Sequence, residues 1–262
     1  MSAQPRVEVV RSNSKPELLN TSSTSTNQDG TAMLDYKLQD NVAVVTMDDG
    51  KANALSYEMI DAVMDALHRA EREASAMVLA GRPERFCAGF DLRVMMSGME
   101  NAIAMVTRGG QLLLSLYDAQ LPLVIACTGH ALAGGALTVL TGDWRVGAAG
   151  NFKLGLNEVA IGMPVPALAM ELARDRLTAR ELPRATLAAH IYAPEDALEA
   201  GWLDEVVAPD QVLPRAVAEA TRLGKLSKTA YRETKRRLRG KTIEYIKVTT
   251  AEDLRALTMP TG

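Results

Sequence analysis

Cysteine, histidine and aromatic side chains are all scarce in this chain. Two cysteines among 262 residues, Cys87 and Cys127, cannot supply a disulfide framework and are not spaced as metal ligands. Both read as small buried residues. The three histidines, His68, His130 and His190, lack ligand spacing too, so no metal site is expected. Also missing is any apolar run near the roughly 20 residues that span a bilayer. The N-terminus has no basic-then-apolar secretory pattern, so a cytoplasmic protein with no membrane partner is expected. A net charge of −3 argues against a surface that binds nucleic acid nonspecifically.

What is present is ordinary globular composition, 47% hydrophobic and 23% charged, enough for one sizeable core or two smaller ones. Residues 1–32 stand apart: the tract TSSTSTNQDG has almost nothing able to build a core, and the whole segment is expected to be a disordered extension. From Met33 the character changes. LDYKL and VAVVTM read as strands, and SYEMIDAVMDALHRAERE reads as a helix capped by Ser56, with Met59, Ile60, Val63, Met64 and Leu67 on one face. AMVLA at 76–80 is a further strand, GRPERFCAGFDL a loop, and a helical region with an amphipathic stretch near 111–120 follows. Pro122 then opens the strand LVIACT. WRVGAA and FKL read as short strands, and helical periodicity dominates from Pro166 onward, interrupted by LDEVV at 203–207. Repeated strand–strand–helix units before a helical tail indicate an α/β fold.

Two glycine turns each follow a strand and precede a helical segment: FCAGFDL at 86–92 and HALAGGAL at 130–137. Glycine lets a backbone approach a ligand, and the unpaired amides of a first helical turn are anion-stabilising donors. A single turn of this kind is as well explained as a tight connection. Neither matches G-x-G-x-x-G or G-x-x-x-x-G-K-[ST], so the dinucleotide and P-loop signatures are absent there.

Spacing and sequel make the pair more specific. With KANALS (51–56), PLVIACTGHALAGGALTVLTGDWR (122–145), GLNEVAIGMP (155–164) and PEDALEAGWLDEVV (194–207), the chain from Leu34 onward resembles the crotonase, or enoyl-CoA hydratase/isomerase, family. The resemblance implies a crotonase-like spiral of ββα units over 33–200 and a C-terminal helical trimerisation region over 201–262, assembled as a homotrimer or a dimer of trimers. It also implies that the amides of Phe90 and Gly134 form an oxyanion hole for an acyl-CoA thioester, with Gly135 in the same turn. Coenzyme A is then part of the substrate, and no separate cofactor is expected.

Family hydratases resemble one another in carrying two glutamates. Aligned on the glycines and Asp143, this chain has Leu137 at the first position and Glu158 at the second. Leucine cannot position water or exchange a proton, so hydration loses one of its acid/base partners. The AGGAL, LTGDWR and GLNE series resembles the single-glutamate Δ3,Δ2-enoyl-CoA isomerases, which implies a 1,3-proton transfer by Glu158. The alternative is a hydratase using a substitute acid. Glu171 reads as part of a solvated helix face and Asp143 as a cap or loop anchor.

By the same resemblance, the segments at Ala52, Ala54 and Leu55 and at Ala88, Gly89, Asp91 and Leu92 hold the adenine end of CoA. Lys51 and Lys235 are candidate phosphate contacts. Lys228, Arg232, Lys235 and Arg239 lie on one helical stripe, which reads equally as a solvated face. The stripe also raises RNA binding, but aromatics make up only 4% of the chain and Tyr231 alone lies in the run. A noncatalytic acyl-CoA binder is a third reading. His130, beside the second turn, is expected to make a structural hydrogen bond. Met95, Met96 and Met99 suit either an adaptable acyl pocket or core packing.

Overall fold

The computed structural model describes residues 21–26 and 32–258. Its largest element is a seven-stranded sheet in the order β1 (Thr21–Thr26), β2 (Ala32–Gln39), β3 (Val42–Met47), β4 (Ala76–Ala80), β6 (Leu123–Cys127), β8 (Trp144–Ala148) and β10 (Glu205–Val207). The first three strands pair antiparallel and the rest parallel. A second, three-stranded parallel sheet is built from β5 (Glu84–Cys87), β7 (Gly129–Leu132) and β9 (Leu154–Gly155).

The central strands read as unbroken apolar runs because both faces of the large sheet are covered. Val44, Val78, Val124 and Val146 face helix α8 (Val212–Gly224) through Val212, Ala216 and Ala220. The alternate residues Val45, Leu79 and Ile125 face the main core, shared with helices α1 (Tyr57–Glu73), α3 (Met99–Tyr117) and α4 (Gly134–Thr141) and with Phe86, Cys87, Ala131 and Leu154 of the small sheet. Period-two alternation thus sorts one continuous apolar run onto two cores. Ser56 caps α1 as expected, accepting from the Met59 amide at 3.2 Å. A short α2 (Leu92–Met95) links the first glycine turn to α3. Beyond the small sheet follow α5 (Ala167–Arg176), α6 (Glu181–Thr186), α7 (Pro194–Ala200) and, at the end, the long α9 (Lys228–Thr258).

Three expectations need correction. Part of the segment expected to be disordered, Thr21–Thr26, is an antiparallel strand on the edge of the large sheet, held by ladder bonds to β2 and by Arg69, which donates to Ser23 at 2.5 Å and to Thr21 at 3.1 Å. Residues 1–20 and 27–31 lie outside the described residues. The segments GRPERFC and GHAL, read as a loop and a turn, supply β5 and β7; at four residues each they are too short to show a period. The part from 201 onward is not all helix appended to a finished core, because β10 completes the large sheet and α8 covers it.

Candidate active site

Strands β5, β7 and β9 run parallel, so their C-terminal ends open on one side of the small sheet. The chain leaves β5 into Ala88–Phe90, β7 into Ala133–Gly134 and β9 towards Asn157–Glu158. Crevices at the carboxyl ends of parallel strands are where ligands bind in open α/β sheets.

The first turn is held by the segment before α1. Ala88 donates to the Ala52 carbonyl at 3.0 Å, Leu55 to the Gly89 carbonyl at 2.8 Å, and Asp91 to the Leu55 carbonyl at 3.3 Å. This parallel bridge uses the Gly89 carbonyl and the Asp91 amide and turns the Phe90 amide the other way, where it meets no acceptor among the described residues. Gly89 has φ +96°, and a Cβ there would lie 3.0 Å from the Leu132 carbonyl oxygen and 3.3 Å from the Gly134 nitrogen. The two glycine turns therefore touch. Gly134 opens α4, so its amide has no intrahelical partner. Ala133, just before it, has φ +47° and ψ −122°, a costly conformation for a residue with a Cβ. Its amide is tied to the Gly155 carbonyl at 3.0 Å, which links the turn to β9. Gly135 is required by packing: its Cβ would stand 2.1 Å from the Cys87 carbonyl oxygen.

Glu158 follows β9 at the head of a 3₁₀ turn, Val159–Ile161, closed by Gly162 at φ +80°. Its side chain is 8% exposed, and Oε2 is buried without a partner among the described residues. Burial pushes the carboxyl above the usual carboxylate range, against the opposing pull of the Glu158 and Asn157 backbone amides. The neighbouring Asn157 Oδ1 is also buried and unpartnered among the described residues.

Next to these turns an apolar cavity of about 250 Å³ lies between α3, Pro166–Ala169 and α9, with Phe90 and Leu137 in its wall. Glu158 is not part of the lining, and neither is any other aspartate or glutamate.

Two residues that shape the site carry little sequence signal. Asn53 is fully buried at φ +52°, and its carboxamide donates to the Met47, Arg85 and Phe86 carbonyls at 2.9, 3.1 and 3.2 Å, fixing the 49–55 turn against β5. Asparagine tolerates that left-handed geometry, which is the one hint the tract DDGKAN offers. Gly109, in the middle of α3, gives room to the Phe90 ring: a Cβ there would be 2.0 Å from Cε1.

Of the other expected site residues, Lys51 is exposed on the turn and its carbonyl accepts from Arg82 at 2.9 Å. Asp91 caps α2 and pairs with Arg93 at 3.0 Å, while Leu92 is 67% exposed. Lys235 departs from its expected place. Its side chain is 8% exposed and its ammonium bonds Asp143 Oδ2 at 2.8 Å, while Arg239, deeper still, holds Oδ1 at 2.8 Å. Desolvation raises the Asp143 carboxyl, but the two cations outweigh it and hold it below the usual range. The ammonium is therefore committed to a buried ion pair that fastens α9 and does not face solvent phosphate. Asp143 is the loop anchor foreseen for it, accepting also from the Leu123 amide at 2.9 Å.

Glu171 is half-buried and paired with Arg174 at 3.2 Å. His130 makes a structural bond, accepting at Nδ1 from the Lys153 amide at 3.0 Å. Met95 packs on the core, but Met96 and Met99 are exposed, so core packing does not account for those two. Cys87 and Cys127 are buried, and burial pushes both thiols up to about 12.

Residues 37–258 match the family model described as enoyl-CoA hydratase/isomerase. The chain belongs to that family. The enoyl-CoA delta isomerase 1 of human mitochondria is 31% identical over 182 residues, covering 68% of this chain and 60% of that protein. This chain thus aligns with less than two thirds of that relative's length. A probable enoyl-CoA hydratase of Mycobacterium avium is 32% identical over 176 residues, 65% of this chain and 67% of the other. Among solved structures, an enoyl-CoA hydratase/isomerase family protein from Pseudomonas syringae superposes with a TM-score of 0.82 at 38% identity, covering 85% of this chain and 96% of that one. The crotonase fold is therefore that of this enzyme family, whose relatives carry both isomerase and hydratase names.

Proposed function

We propose that this enzyme shifts the double bond of a 3-enoyl-CoA to give the 2-enoyl-CoA. Glu158 removes a proton from C2 and returns it at C4, while the Phe90 and Gly134 amides stabilise the thioester oxygen of the dienolate. Backbone donors of this kind need no reorganisation as charge develops, and losing one costs about 10²–10³ in rate. A carboxylate destabilised by burial is the better base. The observation that carries the reading is Leu137, buried in the wall of a cavity without a carboxylate, at the position where a second acid would stand. One carboxylate suffices for a 1,3-shift, and an apolar wall disfavours held water.

The adenine end of CoA would lie along the 52–55 and 88–92 segments, with Lys51 near its phosphates. Water addition is the competing reading, and Asn157 favours it, since an unpartnered buried oxygen beside Glu158 could hold a water. Assaying 3-hexenoyl-CoA and 2-hexenoyl-CoA side by side, with double-bond shift and water addition followed separately, decides between them. Fast hydration with slow isomerisation would overturn the proposal.

A further inference from the structure

Gly109 and Gly110 stand together in the middle of the 19-residue α3, where each glycine costs roughly 0.5–1 kcal/mol relative to alanine. Gly109 is explained by the Phe90 ring that fills the space of a side chain. Gly110 has no such neighbour. A Cβ there would meet only Leu168 Cδ1, at an ordinary contact distance of 3.7 Å, so the protein itself leaves room for a larger residue. What Gly110 does face is the apolar cavity, whose wall it shares with Leu114, Leu137, Leu168 and Ile246. A Cβ at 110 would enter the cavity wall without a clash.

We infer that Gly110 sets the acyl-chain length this enzyme accepts, by leaving a channel over α3 for an unbranched, medium-length apolar tail. The inference rests on the acyl-CoA reading above. A volume of about 250 Å³ bounded by apolar side chains is large enough to take several methylenes of such a tail. The lining supplies apolar contact along the tail, and Lys247 and Thr250 stand among its polar members. Each methylene buried adds about three- to fourfold in affinity.

The test uses saturated acyl-CoAs, which bind without reacting. Butyryl-CoA and octanoyl-CoA are titrated calorimetrically against the full chain and against Gly110→Ala and Gly110→Leu. The native enzyme is expected to prefer octanoyl over butyryl by on the order of 10²-fold, the product of four methylenes. Gly110→Ala should lower that ratio and Gly110→Leu should bring it close to one, with the melting temperature of Gly110→Ala equal or raised because alanine favours the helix. A Gly110→Ala protein that folds and keeps the full ratio overturns the assignment, even if Gly110→Leu fails to fold. Absence of any length preference in the native chain, with CoA esters still bound, overturns it while leaving the acyl-CoA reading intact. Failure to bind any acyl-CoA overturns both.

Discussion

The Phe90 ring rests against the backbone of Gly109, with the missing Cβ of that glycine only 2.0 Å from ring carbon Cε1. The ring therefore ties the turn that carries the Phe90 amide to the body of α3. Gly109→Ala pushes the ring off its seat and the amide with it. With the Phe90 amide as the proposed oxyanion donor, turnover is expected to fall by up to about 10²–10³-fold, the usual consequence of losing one such donor. Overpacking of about 1–3 kcal/mol is partly offset by roughly 1 kcal/mol of helix propensity, so melting changes little by comparison. Steady-state kinetics beside a thermal melt separates the two; a variant that loses stability but keeps kcat would show that Phe90 does not position the amide.

Burial holds Glu158 above the usual carboxylate range, and as the proposed base it must be ionised to act. The acid limb of kcat/KM should accordingly lie above the ordinary glutamate value of about 4.3. The stability sign is the reverse of that for a paired carboxylate. Between the unfolded and the raised folded pKa the native state binds more protons than the unfolded one, so stability falls as pH rises through that window. Glu158→Gln removes the penalty: it should lose activity by at least about 10²–10⁴-fold and melt no lower than the parent, with its advantage growing towards neutral pH. Melts at several pH values check this, and a Glu158→Gln protein that melts lower at neutral pH contradicts it.

Much of the candidate site is legible in the sequence because glycine turns and the GLNE tract are local signals. The AGF and AGG turns announce a backbone that must approach something, and the structure brings them within contact of each other. Lys235 was not legible. Helical spacing correctly places it on one stripe with Arg239, but whether a stripe meets solvent or a partner depends on Asp143, 92 residues away from Lys235 in sequence. Thr21–Thr26 fails differently, since serine and threonine without an apolar partner read as unstructured. Its order comes from the β2 edge and from Arg69, neither of which composition records. Strands β5 and β7 escaped because segments of four residues have no period to detect, whereas the FKL reading overlaps β9 at Leu154.

The Asp143 cluster makes its own prediction. The carboxyl is held below its usual range, so its contribution is present above the unfolded value of about 3.9 and is lost as pH falls through the folded one. Asp143→Asn leaves two buried cations without a counter-charge and should cost about 3–5 kcal/mol at neutral pH. Lys235→Met should lower the melting temperature without weakening CoA affinity, because the ammonium is spent on Asp143. Isothermal titration with CoA checks this; a selective loss of CoA binding, with stability kept, would return the phosphate role to Lys235.

Leu137→Glu tests the proposed distinction between a double-bond-shifting enzyme and a water-adding one. Leu137 is 4% exposed in an apolar wall, so a carboxylate there has no donor to meet and its pKa rises with burial. The variant should lose roughly 1–3 kcal/mol relative to its parent, least at acidic pH where the new group is protonated and more as pH rises above the ordinary glutamate value. If Leu137 is what withholds a second acid from the reaction, the ratio of water addition to double-bond shift should rise in this variant even as total turnover falls. The two products are resolved by chromatography of the CoA esters. An unchanged ratio in a folded variant would mean that water is excluded by some feature other than the leucine, and the choice of isomerase over hydratase would lose the observation that carries it.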